Sequence, residues 1–356
     1  MEMGKIMSKK ISGIVFLIFI LFFGCKQKEL PRFSQITVSG ETMGTGYSVK
    51  VVIPDSLEEM KIKKTVSKGI DSVLQSVDRL MSTYKENSEI SRFNNFSDTN
   101  WFPISKEFAK VVEAALKIGK ETEGALDITV EPLVNLWGFG PKEKRTTIPD
   151  SQEVKMLLNI TGIDKIKIND NPVAIGKSIP ETEIDLSSIA KGYGVDKTSE
   201  YLLGNGFDNF MVEVGGEVRT SGKNKLAQDW KIGISDPIDQ TKLAKIIRVS
   251  GNALATSGDY YNFFEYNGRI YSHTINPTTG FPVTHSLVSV SVIHNSCMYA
   301  DGYATAIDVL GPEKGLKFAK KMKLPVYLIS KNNDSLVYSY TEQFVKYLNK
   351  ERQTDK

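Results

Sequence analysis

The chain has 356 residues, with 45 lysines and arginines against 42 aspartates and glutamates, a formal net charge of +3, 3 histidines and 2 cysteines. So small a net charge gives no sign of a nucleic-acid partner, and two cysteines cannot build a disulfide scaffold, so stability must come from packing. The length is enough for a sizeable core, as one large body or two intimately packed halves.

At the N-terminus, Lys5, Lys9 and Lys10 precede an unbroken apolar run from Ile11 to Phe23. The run is too short for a comfortable membrane span and reads as an export signal. It ends in Leu21-Phe22-Phe23-Gly24-Cys25, which resembles the lipobox of bacterial lipoproteins, where the cysteine is acylated and becomes the new N-terminus. The alternative is an uncleaved anchor helix with a chance cysteine; either puts the rest of the chain outside the cytoplasm. Residues 1–24 are thus expected to be a signal peptide, and 25–35, polar with one proline, a tether from the membrane to a body over 36–350. Removing 1–24 takes away three lysines and one glutamate, leaving a net charge of +1. If Cys25 is lipidated, Cys297 has no disulfide partner; its apolar surroundings suggest a buried small residue rather than a nucleophile.

Ile36 to Ile53 has strand character with a glycine-rich interruption between Gly40 and Gly46, which predicts two strands across a turn. From Ser56 to Met81 apolar residues recur at the spacing of one face of a long helix. A second helix is expected over Lys106 to Glu121, stopped at Gly124 by a left-handed cap. Beyond Ile163 short strands dominate, at Val212 to Val214, Trp230 to Ile234, Ala244 to Val249, Phe263 to Tyr266, Leu287 to Ile293 and Val326 to Ile329. Helices are expected at Ser187 to Leu203, capped by Gly204 or Gly206, at Met298 to Leu310 and at Pro312 to Met322. Strands and helices mix without a regular βαβ alternation, so the fold class is α+β, with neither a Rossmann nor a P-loop unit.

Four glycine pairs stand out: Gly44 with Gly46, Gly138 with Gly140, Gly192 with Gly194, and Gly215 with Gly216. Each allows a close approach of backbone to ligand, or a turn at positive φ. Asp185-Leu186-Ser187-Ser188-Ile189-Ala190-Lys191 sets an acid and two hydroxyls at a helix start with a lysine further along, an arrangement suited to phosphate oxygens or simply to capping. Asp301 and Thr305 are four apart and share a face if helical. They are hard oxygen ligands of the kind that hold Mg²⁺ when substrate phosphates complete the shell; the alternative is an exposed acid near a helix start. His273 precedes an Asn276-Pro277 turn ending at Gly280, where a fixed imidazole can take a proton or serve structure alone. No histidine or cysteine pair has zinc spacing, and no G-x-S-x-G elbow exists.

Taken in order, Gly40-Glu41-Thr42-Met43-Gly44-Thr45, Ser82-Thr83-Tyr84, Gly124-Ala125-Leu126-Asp127-Ile128-Thr129 through Leu136-Trp137-Gly138-Phe139-Gly140, Asp185 to Gly194, Gly215-Gly216, His273 to Gly280 and Asp301 to Thr305 resemble the ApbE family. Its members are FAD:protein FMN transferases, formerly called thiamine biosynthesis lipoproteins. The resemblance implies that Met43, Tyr84, Ala125, Leu126, Asp127, Asp185, Lys191 and Ile275 contact FAD, with the Tyr84 ring stacking on the nucleotide. It implies a Mg²⁺ site at Asp301, Thr305 and a backbone carbonyl near Ser188, and His273 as general base. It implies transfer of FMN from FAD to a threonine or serine in a D-x-x-[ST]-G-A-[ST] sequence of a membrane redox subunit, with release of AMP. Two other readings remain: an extracytoplasmic FAD pyrophosphatase, and a flavin-binding lipoprotein without turnover.

Overall fold

The structure is a computed structural model that describes residues 33–55, 58–142, 147–258, 263–266, 269–333 and 335–348. The expected signal peptide, Cys25 and nearly all of the tether therefore lie outside the described residues. In chain order the elements are β1 (Phe33–Thr42), β2 (Thr45–Pro54), α1 (Glu59–Met81), α2 (Glu89–Asn94), β3 (Phe102–Pro103), α3 (Lys106–Glu121), α4 (Glu131–Leu136), α5 (Ser151–Leu158), β4 (Ile166–Asp170), β5 (Val173–Lys177) and α6 (Ser187–Gly204). There follow β6 (Phe210–Val214), β7 (Glu217–Ser221), β8 (Trp230–Ser235), β9 (Leu243–Val249), β10 (Ala253–Gly258), β11 (Phe263–Tyr266), β12 (Arg269–Ser272), β13 (Leu287–His294), α7 (Cys297–Lys321), β14 (Val326–Asn332) and β15 (Ser335–Tyr340). From Phe33 onward the fold is one unit, α+β as expected.

Its centre is an antiparallel sheet in the order β1-β2-β6-β7-β10-β13-β14-β15. Strand alternation gives the sheet two buried faces. Val49, Val51, Val212, Val290 and Val292 pack under the helices, whereas Val218, Leu254, Ile293 and Ile329 meet the β8–β9 hairpin and Phe344 on the other side. The helical layer is α1, α3, α6 and α7. α1 buries Val66, Ile70, Leu74, Val77 and Met81, the stripe the sequence predicts. A smaller sheet, β3-β5-β4, flanks α3.

Local chemistry sets the element ends. The two-residue turn between β1 and β2 has both Met43 (φ 47°) and Gly44 (φ 72°) left-handed, the geometry whose twist matches a hairpin. α3 starts at Ser105, whose Oγ accepts the Phe108 N–H at 3.2 Å. At its end the left-handed position is taken first by Glu123 (φ 55°) and then by Gly124 (φ 87°), whose N–H closes on the Gly119 carbonyl at 2.8 Å. α7 breaks at Gly311 (φ 76°) before Pro312, at the boundary expected between two helices.

Gly192 and Gly194 lie inside α6, the helix expected over Ser187 to Leu203, and not at a turn. They are small because α6 is crossed closely there: a Cβ on Gly192 would come within 2.4 Å of the Cys297 carbonyl oxygen and 2.8 Å of Asp301 Cβ, and one on Gly194 within 3.0 Å of Met43 Cε. The obstacle at Gly192 is backbone and cannot rotate away. Gly192→Ala is expected to destabilise the fold by about 1–3 kcal/mol through overpacking, read as a lower urea midpoint with unchanged slope; an unchanged midpoint would mean that the helices separate freely.

Candidate functional site

The α6–α7 crossing holds a buried charge cluster. Lys191 Nζ lies 2.9 Å from Glu217 Oε1 and 3.7 Å from Asp301 Oδ1, while Asp301 Oδ2 accepts the Gly192 N–H at 2.9 Å. In an α-helix that N–H is the donor for the Ser188 carbonyl, so Asp301 competes for it and leaves the carbonyl's lone pairs less committed. Glu217 and Asp301 are buried, and Glu217 Oε2 has no hydrogen-bond partner among the described residues. Burial pulls the Lys191 ammonium down, but Asp301 and Glu217 outweigh it and hold it above the ordinary lysine value. Both carboxyls are pushed up by burial against the pull of Lys191. One ammonium facing two desolvated carboxylates leaves negative charge unmatched.

The α7 N-terminus that carries Asp301 is locked by Asp196 of α6. The Asp196 carboxylate accepts the Cys297 and Met298 N–H groups (2.9 and 3.1 Å), the Ser296 hydroxyl (2.6 Å) and Arg219 Nη1 (2.6 Å). These satisfy donors that a helix start otherwise leaves without partners, and they fix α7 about one turn before Asp301. Thr305 follows one turn later, half-buried.

Two turns adjoin the cluster. Gly215 donates its N–H to the Gly46 carbonyl at 3.0 Å, and a Cβ on it would touch Thr45 and Lys191 Cδ, so the β1–β2 turn with Met43 and the β6–β7 turn meet at Lys191. Before α6, Asp185 accepts the Ser187 N–H (2.8 Å) and hydroxyl (2.7 Å), and its own N–H reaches the Ile128 carbonyl at 2.7 Å. Burial pushes Asp185 up and the Ser187 bonds oppose it. Tyr84 is 71% exposed, with its hydroxyl donating to the Phe139 carbonyl at 3.3 Å. Its pKa is raised by burial of the hydroxyl and by the nearby Asp185 and Glu131 charges. A largely exposed ring beside two acids is open for stacking.

Other residues from the sequence offer backbone rather than side chain. Ala125 and Leu126 are core residues. Asp127 is buried and spends its carboxylate on the Thr129 N–H and hydroxyl and the Ile163 N–H. Ile275 packs with Leu133, Trp137 and Val154. His273 is half-buried, its ring 6.4 Å from that of Phe139 at 73°. Cys297 is fully buried, and burial holds its thiol well above the ordinary range, which suits a packing role.

A family model described as the ApbE family matches residues 43–328. The chain belongs to the ApbE family. It is 42% identical over 332 residues to a Vibrio cholerae protein named FAD:protein FMN transferase, covering 93% of this chain and 97% of that one. A Haemophilus influenzae protein of the same name is 41% identical over 345 residues, covering 96% and 98%. The structure of the flavin transferase ApbE from Vibrio cholerae superposes with a TM-score of 0.81 at 41% identity, covering 89% of this chain and all of that one.

Sequence reasoning missed Glu217, Asp196 and Glu131. Glu217 carried one signal, an acid directly after Gly215-Gly216 where a strand begins. Glu131 is buried and carries an unusual charge state: Oε1 accepts from Asn135 Nδ2 at 3.0 Å and Oε2 has no partner among the described residues. Burial first, then Asp185 and Glu183, push it up to about 9, against Asn135 and Lys142. The native state therefore keeps a proton that the unfolded chain releases above about pH 4.3, so this group lowers stability progressively as pH rises from there to about 9. Glu131→Gln is expected to match the parent near pH 5 and to exceed it by roughly 1–3 kcal/mol at pH 8, measured by denaturant unfolding; a difference that does not change with pH would show Glu131 to be ionised.

Proposed function

We propose that this chain is an FAD:protein FMN transferase that carries out Mg²⁺-dependent transfer of FMN from FAD to a threonine or serine hydroxyl of an acceptor protein, releasing AMP. The observation that carries the reading is Asp301 on α7, held between the Lys191 ammonium and the Gly192 N–H of α6. The names and near full-length coverage of the relatives supply the substrate class.

The residues fit a hard divalent cation. The Asp301 carboxylate, the Thr305 hydroxyl one turn along and the Ser188 carbonyl are all oxygen donors, and few protein charges are needed where substrate phosphates share the ion. Lys191 leans to Glu217, so Asp301 Oδ1, at 3.7 Å, is the more loosely held oxygen. The charge left unmatched in the cluster is of the sign a cation would neutralise. When bound, the ion supplies charge neutralisation on the FAD diphosphate as the bond to AMP breaks.

The chain's own residues do the rest. Lys191, kept charged, faces the diphosphate; Met43, Asp185 and the backbone of Ala125 to Asp127 enclose the dinucleotide; Tyr84 stacks on it. The acceptor oxygen bonds to the FMN phosphorus as the bond from that phosphorus to the bridging oxygen of AMP breaks. His273 receives the hydroxyl proton, and AMP leaves with the bridging oxygen. At the N-terminus, acylated Cys25 would hold the enzyme on the extracytoplasmic membrane face, near a membrane redox subunit with the D-x-x-[ST]-G-A-[ST] sequence. Palmitate label is expected to enter the parent protein and not Cys25→Ser; label retained by Cys25→Ser would contradict the anchor at this residue.

The direct test mixes the mature protein with FAD, Mg²⁺ and such an acceptor and measures the acceptor's mass, which should rise by FMN less one water. AMP release at full rate without acceptor, and no mass gain with it, would instead make the protein a pyrophosphatase. FAD recovered uncleaved would make it a flavin carrier. Asp301→Ala is expected to lower transfer by at least about 100-fold with the fold retained by circular dichroism; near-parental activity would place the ion elsewhere.

A further inference from the structure

A second buried carboxylate stands on the same face of α7. Asp301, Thr305 and Asp308 are spaced i, i+4 and i+7, so their side chains leave the helix in nearly one direction, with Asp308 about 10 Å along the axis from Asp301. Asp308 is fully buried. Its Oδ2 accepts the Thr274 hydroxyl at 3.1 Å and the Ser257 hydroxyl at 3.1 Å. Its backbone carbonyl meets His285 Nε2 at 2.5 Å, which places the ring proton on Nε2. Gly311 makes room for that imidazole: a Cβ there would lie 2.9 Å from His285 Cδ2.

Thr274 and His285 are the two feet of one loop. Between them the chain folds back on itself, with Val283 N–H on the Thr274 carbonyl (3.0 Å), Asn276 N–H on the Phe281 carbonyl (2.9 Å) and Gly280 N–H on the Asn276 carbonyl (2.8 Å). The tip is pinned by Trp137 Nε1 to the Gly280 carbonyl at 2.8 Å. Asp308 therefore grips both feet, one with its carboxylate and one with its carbonyl, and His273 is the residue directly before the foot that the carboxylate holds.

We propose that Asp308 is the positioning residue of the His273 loop, setting through Thr274 where the imidazole stands relative to Asp301 and Thr305. This rests on the reading of His273 as the group that takes the acceptor's proton. A buried carboxylate is costly to keep merely as a spacer. Here it receives two hydroxyl donors from separate segments, β10 through Ser257 and the loop through Thr274. Register between loop and helix follows from a hydrogen bond of fixed direction, where apolar packing alone would leave the loop free to slide. Displacement of about 1 Å in a reacting group can cost about 100-fold in rate.

The test uses the full mature protein with Asp308→Leu, Asp308→Asn and Thr274→Val, each alone and combined with His273→Ala, and measures kcat for transfer and KM for FAD. Asp308→Leu, which removes the acceptor oxygens and keeps the branching at Cγ, is expected to lower kcat by about 10- to 100-fold with KM changed less than about 2-fold. Asp308→Asn keeps one acceptor oxygen and should retain most of kcat. Thr274→Val, the milder change, should lower kcat by about 5-fold and, in a double variant with Asp308→Leu, add nothing to that loss. In the His273→Ala background the Asp308→Leu loss should vanish. An equal fold-loss in both backgrounds, or unchanged kcat in folded Asp308→Leu and Thr274→Val proteins, overturns the inference. The parent reading fails separately, if His273→Ala alone transfers FMN at the parental rate.

Discussion

The contact of Lys191 with Glu217 and Asp301 is the constraint on which the remaining architecture turns. Three ionisable groups from α6, β7 and α7 can share one buried volume only if the two helices approach to backbone contact. Gly192 allows that approach, and its N–H turns the contact into a hydrogen bond with Asp301. Desolvation raises the cost of every unpaired charge there, so the same burial that strengthens the pair makes its geometry strict. Asp196 acts in the same direction, by supplying the α7 N-terminus with acceptors from the neighbouring helix instead of from water.

The sheet contributes position more than chemistry. Its β1–β2 and β6–β7 turns lie side by side, joined by the Gly215 to Gly46 hydrogen bond, and they bring Met43 and Glu217 to the flank of α6. Left-handed backbone at Met43 is uncomfortable for a side chain with a Cβ; the tight hairpin fixes it, so the methionine is delivered in one orientation. The opposite face of the sheet, covered by the β8–β9 hairpin and Phe344, carries none of the candidate site residues.

The elements that the sequence displays best are those whose pattern is local. α1 and α3 carry full helical stripes, and α3 runs over Lys106–Glu121 as expected. β10 escaped notice because Ala253-Leu254-Ala255-Thr256-Ser257-Gly258 has little strand character. Its small side chains make sense only once α7 is seen lying across it. The same holds for the site. His273, Asp185, Lys191 and Asp301 sit in short motifs and can be read in line. Glu217, Asp196, Glu131 and Asp308 are single acids in ordinary surroundings, and what marks them is burial against partners up to about a hundred residues away, Ser296 for Asp196 and Thr274 for Asp308. Gly192 and Gly194 were visible, but a glycine that makes room for a helix and a glycine that makes a turn look alike in sequence.

The charge balance of the cluster bears on how the proposed chemistry would be gated. One ammonium stands against two buried carboxyls, and burial displaces both Glu217 and Asp301 upward against the pull of Lys191. On the proposed reading, Asp301, Thr305 and the Ser188 carbonyl would hold a divalent ion, which would supply positive charge beside the two acids. Lys191 has Glu217 as its nearer partner, at 2.9 Å against 3.7 Å for Asp301, so that pairing would persist with Asp301 engaged by an ion. Glu217 thereby has a reason to exist that Asp301 alone does not provide: it keeps the lysine charged and in place when its other partner is engaged elsewhere. A lysine left with no buried counter-charge would lose its proton or swing to solvent.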